Sequence, residues 1–200
     1  MLYVSLTITG NIHRFVSPPA NFLASPPLPP YTNNTICKEV GMDLFEIAIK
    51  LEQDGAAFYL HLAKHAQNES FASLFKRLAE DEKKHESYFR ALKEKSALIS
   101  VSSSVMELAK NVFKSFDPER FEPEEDQIPL YREALAIEQR SFDLYKSQLN
   151  ELEFEAEKEA IKNIIAEEER HYIVMEELLK LVTRPHRWVE NAEFGVREEY

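Results

Sequence analysis

From Asp43 onward, apolar residues recur at intervals of three and four in four long stretches, and each stretch predicts an amphipathic helix. The first places Phe45, Ala48, Ile49, Glu52, Ala56, Tyr59 and Ala63 on one stripe. The second, about residues 70–95, aligns Phe71, Phe75, Leu78, Glu82, His85, Phe89 and Leu92, with Asn68 or Ser70 able to cap its start. A third, about 129–150, aligns Tyr131, Ala134, Leu135, Glu138, Phe142, Tyr145 and Leu149, and Pro129 is acceptable in its first turn. The fourth, about 151–182, aligns Ile161, Ile164, Glu168, His171, Met175 and Leu178. Ionisable side chains therefore stand in the middle of every apolar stripe, where a core would exclude them unless something compensates their charge.

The third and fourth stripes repeat the first and second at a displacement of 86 positions: Phe45 matches Tyr131, Leu78 matches Ile164, and Phe89 matches Met175. This is the mark of a duplicated helical hairpin. Short connections near 67–70 and at Asn150 make each hairpin antiparallel. Residues 96–128 are long enough to cross the length of a bundle, with room for a short helix near 105–113. The expected fold is all-α: a four-helix bundle over residues 42–182 with a long crossover between its second and third helices.

The repeat also carries chemistry. Glu52, Glu82 and His85 recur as Glu138, Glu168 and His171, so a lone Glu is twice followed 30 residues later by Glu-x-x-His. A Glu and a His three positions apart share one helical face. Four carboxylates on apolar faces repel one another and resist burial, and two divalent cations would cancel their charge. One Glu-x-x-His on an acidic helix is better explained by chance. Two at identical spacing, each preceded by a core Glu, favour a two-metal site of the kind built in ferritin-like bundles. Glu52 and His85 are then the ligands of one metal, Glu138 and His171 of the other, with Glu82 and Glu168 bridging. Iron or manganese suits such a donor set, and zinc competes. The site reads as suited to redox rather than storage. Asp81 is assigned to the outer nitrogen of His171 and Glu167 to that of His85, water-facing positions being the alternative. Tyr59 and Tyr145, two turns beyond the lone glutamates, could bond a ligand carboxylate, carry a radical or simply fill the core. His61 and His65 read as surface residues.

Composition narrows the setting. At 200 residues, with four Gly and 30% charged residues, the chain suits one helical domain. A net charge of -11 argues against nucleic acid as a partner, and no apolar run suits a membrane span. The lone Cys37 allows no internal disulfide and fits a reducing, cytoplasmic setting. Residues 1–41 hold six of the ten prolines and a net charge of one positive, so an extended or disordered arm is expected there. Lys38-Glu39-Val40-Gly41 can be encoded by bases resembling a bacterial ribosome-binding site, which makes Met42 a candidate native start. Beyond Arg184-Pro185, residues 183–200 are expected to form a short tail docked through Trp188 and Phe194.

At its six candidate ligands the chain resembles the rubrerythrin branch of the ferritin-like superfamily, over about residues 43–181, and residues 188–194 are similar to the ending of standalone rubrerythrin-like proteins. The resemblance implies a non-haem di-iron centre that reduces hydrogen peroxide or oxygen. It implies electrons from a rubredoxin-type donor, expected here to be another protein, and a homodimer is the expected assembly. Rubrerythrins proper carry a further Glu one turn after the lone Glu of the third helix. Ser141 stands at that position and Gly55 at its repeat mate, which shifts the expectation toward a simpler ferroxidase or oxidase-like site. The alternative is a metal-binding bundle that buffers or senses iron without turnover.

Overall fold

The computed structural model describes residues 43–117, 121 and 127–194, with backbone alone for 184–194. Its helices are α1 (Leu44–His65), α2 (Glu69–Lys93), α3 (Val105–Ser115), α4 (Gln127–Gln148) and α5 (Glu155–Phe194), with a single 3-10 turn at Leu149–Glu151. No strand occurs among the described residues. The arm expected over residues 1–41 and the Met42 start lie outside the described residues, as do the side chains of Trp188 and Phe194.

The first two helices begin where the sequence supplies a cap. The Asp43 carboxylate accepts from the Glu46 amide at 2.9 Å, and the Asn68 side chain accepts from the amides of Ser70 and Phe71 at 2.9 and 3.2 Å, satisfying first-turn donors. Of the two residues considered as the cap of α2, Asn68 takes the role. The fourth helix differs from the span expected for it: it starts at Glu155 after the 3-10 turn and continues through Pro185 to Phe194. Pro185 lacks the N–H that would bond the Leu181 carbonyl, and the helix tolerates that single loss.

Helices α1 and α2 form one antiparallel hairpin and α4 and α5 the other; the two join chiefly through α1 against α4, while α3 packs on both α2 and α5. The buried faces meet along the axis: Tyr59, Phe75, Tyr131, Phe89 and Tyr145 are all but fully enclosed. Phe75 lies against Tyr131 with ring centres 5.4 Å apart, and Phe89 against Tyr145 at 5.0 Å, so aromatic contacts bracket the bundle's middle. The crossover is fixed at both ends. Its own Val101, Val105, Ala109 and Val112 are buried, and its Phe116 and Phe121 close on Phe71 with centres 5.2 and 5.4 Å away. No described helix is long and apolar enough to cross a membrane.

Where α2 ends, Lys95 adopts φ 53°, the left-handed conformation. The amide of Ser96 reaches back to the Ala91 carbonyl at 2.9 Å and that of Lys95 to Leu92 at 3.1 Å, the paired bonds that normally surround a glycine at this position. Lys95→Gly should therefore stabilise the protein by about 1 kcal/mol, seen as a higher urea midpoint with an unchanged denaturant slope. A midpoint that stays put would show that Lys95 carries no net strain.

Candidate metal centre

Four helices send six ionisable side chains into the middle of the bundle: Glu52 from α1, Glu82 and His85 from α2, Glu138 from α4, Glu168 and His171 from α5. None is more than 4% exposed, so all have left water, and their charges must be answered inside the protein. Ligand atoms of Glu82, His85, Glu168 and His171 lie within 4.8 Å of one another. Glu52 and Glu138 flank this group, one beside each imidazole.

The arrangement is reciprocal. His85 Nδ1 is 2.9 Å from a Glu168 oxygen and His171 Nδ1 is 3.0 Å from a Glu82 oxygen, so each histidine faces the paired glutamate of the opposite hairpin. His85 Nδ1 is also 3.6 Å from Glu52, and His171 Nδ1 is 3.7 Å from Glu138. Glu82 turns its other oxygen toward His85 at 3.8 Å, placing one carboxylate between the two imidazoles. The Tyr145 hydroxyl donates to Glu52 at 2.5 Å, and the Tyr59 hydroxyl donates to Glu138. For both tyrosine bonds to hold at once, α1 and α4 must run antiparallel, and the two histidine contacts require the same of α2 and α5.

These atoms converge without satisfying one another. Glu52 Oε2, both ring nitrogens of His85, both oxygens of Glu168 and Nε2 of His171 are buried without a hydrogen-bond partner. Native interiors rarely leave such groups alone, and an ion is among the standard reasons. Four carboxylates and two imidazoles with inward Nδ1 atoms match the donor set of a carboxylate-rich dinuclear site, so the residues present fit two divalent metals.

Electrostatics point the same way. Burial, joined by the charges of Glu52, Glu168 and Glu138, pushes the Glu82 carboxyl far above its usual range. Burial and the Glu52 charge raise Glu168 to about 8. Burial alone would lower His85, but the Glu168 and Glu52 carboxylates beside it outweigh burial and raise the imidazole to about 9. His171 is raised likewise, burial being overcome by Asp81, Glu138 and Glu82. Burial would also raise Glu52, yet the close approach of Glu82 and His85 holds it below normal. Where no metal is bound, protons supply the positive charge the cluster needs. Burial and the neighbouring Glu138 and Glu52 charges keep Tyr59 and Tyr145 protonated, so both remain hydrogen-bond donors.

Around the cluster the two halves differ. Asp81 lies 3.8 Å from His171 Nε2 and is closed in by Lys84 at 2.7 Å, Arg77 at 3.3 Å and the Ser103 hydroxyl. His171, Lys84 and Ser103 outweigh burial and hold its carboxyl well below the usual range. Its repeat mate Glu167 gives one oxygen to Arg170 at 2.5 Å, while its other oxygen is buried without a partner. Glu167 is thus turned to a cation one turn along its own helix, and no described residue bonds the outer nitrogen of His85. Gly55 abuts the centre as well: a Cβ there would sit 3.5 Å from the Glu82 carboxylate. Ser141, its counterpart, is buried. His61 and His65 lie away from the centre with rings 4.5 Å apart, His65 exposed and His61 half-buried. The roles of Arg77, Ser103 and the Lys84/Arg170 pair escaped the sequence reading, although Lys84 and Arg170 are themselves displaced by 86 positions and could have been found that way.

Comparison with known proteins finds the family model described as Rubrerythrin matching residues 43–179. No curated protein and no solved structure matches the chain.

The raised groups make pH a test of the centre. A carboxyl or imidazole whose folded value exceeds its unfolded one binds extra protons on folding, so its favourable contribution is complete below the unfolded value and is lost as pH climbs through the folded one. For Glu168 and His85 that loss spans the rise through 8 and 9. Glu52 and Asp81, both lowered, act only on the acid side. Metal-free protein should therefore be most stable in mild acid and weaken toward about pH 9. Metal displaces the same protons, so the rise in Tm on adding metal should be larger at about pH 8.5 than at about pH 5.5. A rise independent of pH would contradict proton displacement. Glu82→Ala or Glu168→Ala should fail to hold two metals, measured by metal analysis after gel filtration; full loading would remove these residues as bridges.

Proposed function

The chain belongs to the rubrerythrin family, and from that premise we propose that it is a non-haem di-iron oxidoreductase that reduces peroxide or oxygen, or oxidises ferrous iron, using electrons from an external donor. The observation that carries this reading is the reciprocal set of four buried carboxylates and two inward imidazoles, matched half to half, with six of their polar atoms left without a hydrogen-bond partner. Glu52 with His85 would hold one iron and Glu138 with His171 the other. Glu82 and Glu168 would span them; Glu82 already turns one oxygen toward each histidine. Bound iron would supply the electrons that break an O–O bond.

The chain's own residues prepare that chemistry. Tyr145 and Tyr59 donate to Glu52 and Glu138 and so fix the rotamers of the two outer carboxylates before a metal arrives. Phe89 against Tyr145 and Phe75 against Tyr131 exclude bulk water above and below the site, which strengthens each electrostatic contact within it. The donor fits a rubredoxin-type protein, and the assembly a homodimer in the cytoplasm. Ser141 narrows this reading. Where rubrerythrins proper place an additional carboxylate, this buried serine offers only a hydroxyl, which suits a simpler ferroxidase or oxidase-like site; the alternative remains a bundle that buffers or senses iron without turnover.

Anaerobic loading with ferrous iron followed by peroxide separates the two. Oxidation of both irons by one peroxide, which takes up two electrons and leaves as water, followed by continued consumption with a reductant, supports the oxidoreductase; tight binding without oxidation supports the second reading. Ser141→Glu would add a carboxylate one turn from Glu138 on the same helix face. If its absence limits turnover, the variant should consume peroxide several-fold faster while retaining two irons per chain. A rate that is unchanged or lower at full loading would count against that limit.

A further inference from the structure

A cleft of about 310 Å³ opens between the crossover and α5, lined by Ser100, Ser102, Tyr88, Asn163, Glu167 and Arg170 among others. Its floor adjoins the centre residue by residue: Glu167 precedes Glu168, Arg170 precedes His171, and Tyr88 lies one turn from His85. We infer that this cleft is the route by which a divalent cation enters the centre, with the unpartnered oxygen of Glu167 as its transit ligand, so that the half holding Glu52 and His85 exchanges metal faster than the other. The inference rests on the two-metal reading of the centre.

Three observations carry it. The ligands are buried, so an ion must pass some wall of the bundle to reach them. Glu167 is 4% exposed, lines the cleft, and keeps one oxygen free of any hydrogen bond. The walls above it offer the hydroxyls of Ser100 and Ser102 and the amide of Asn163, oxygen donors able to replace part of a hydration shell. Arg170 does not oppose entry with a bare charge, because the other oxygen of Glu167 holds it at 2.5 Å.

The repeat explains how this half comes to have an opening. Displaced by 86 positions, Asn163 corresponds to Arg77, Glu167 to Asp81 and Arg170 to Lys84. On the Asp81 side the long Arg77 reaches the carboxylate at 3.3 Å, Lys84 takes the same oxygen, and Ser103 from the crossover takes the second. On the Glu167 side Asn163 is too short to do what Arg77 does. The missing guanidinium leaves the space, and the second oxygen of Glu167, bonded by no counterpart of Ser103, stays orphaned.

Rates of metal uptake test this without any turnover. Cobalt(II) is added to the metal-free full chain, and its d–d absorption is followed by stopped flow with the final stoichiometry recorded. Asn163→Arg restores the arginine of the other half at an exposed position, and should slow uptake at least ten-fold while two cobalt ions still bind. Glu167→Gln should also slow uptake. If Glu167 merely positions His85, the variant would instead weaken final affinity at an unchanged rate, which would overturn its role in transit. Chasing the loaded parent with zinc should release one cobalt in a fast phase that disappears in Asn163→Arg. Equal uptake and release by parent and Asn163→Arg, with two ions bound in each, would overturn the entry route alone. A parent that binds no cobalt, zinc or iron would overturn the reading of the centre, and the route with it.

Discussion

The structure is organised around a cost, the burial of four carboxylates and two imidazoles in the middle of a helical bundle. Without compensation, desolvation and mutual repulsion on that scale would favour an open bundle, because each ion carries a penalty of several kcal/mol even after the protein relaxes. Cations answer it completely and protons answer it in part, which is why Glu82, Glu168, His85 and His171 are all displaced toward holding protons. The aromatic layers on either side of the cluster belong to the same solution. They supply apolar burial that holds the helices together where the middle cannot.

Reciprocity gives the cluster its geometry. Neither hairpin completes its own half: Tyr59 donates to Glu138, Tyr145 to Glu52, His85 faces Glu168 and His171 faces Glu82. Association of the hairpins and preparation of the metal ligands are therefore one event. The asymmetry comes from outside the duplicated core, because the crossover passes over one face and delivers Ser103 to Asp81 while roofing the cleft above Glu167.

Much of this is legible in the chain itself. The periodic stripes yield four helices and the 86-residue displacement yields their pairing, since helix faces and connection lengths are local properties. The six inward residues are visible as polar interruptions of apolar stripes. What periodicity alone cannot supply is the partner of each interruption. Tyr59 sits two turns from Glu52, about 10 Å along the helix, beyond the reach of its hydroxyl; only the antiparallel docking of α4 brings Glu138 beneath it. Glu167 is a second case, because its nearest cation lies one turn along the same helix and competes with His85. The extension of α5 past Pro185 is a third. A proline signals a stop, yet it removes one backbone bond, and the good helix formers Glu190, Ala192 and Glu193 follow.

The tyrosine–glutamate exchange has a bearing on descent. A helical hairpin that offers a phenol at one level and needs one at another, with the same spacing as its mate, is self-complementary: two identical copies related by a two-fold axis would satisfy each other as the two halves of this chain do. The duplicated chain is then a tethered version of an isologous pair, with the crossover as its tether. Once joined, the halves were free to diverge. Arginine at 77 and asparagine at 163 record a freedom that strict symmetry would have denied, a sealed flank on one side of the centre and an open one on the other.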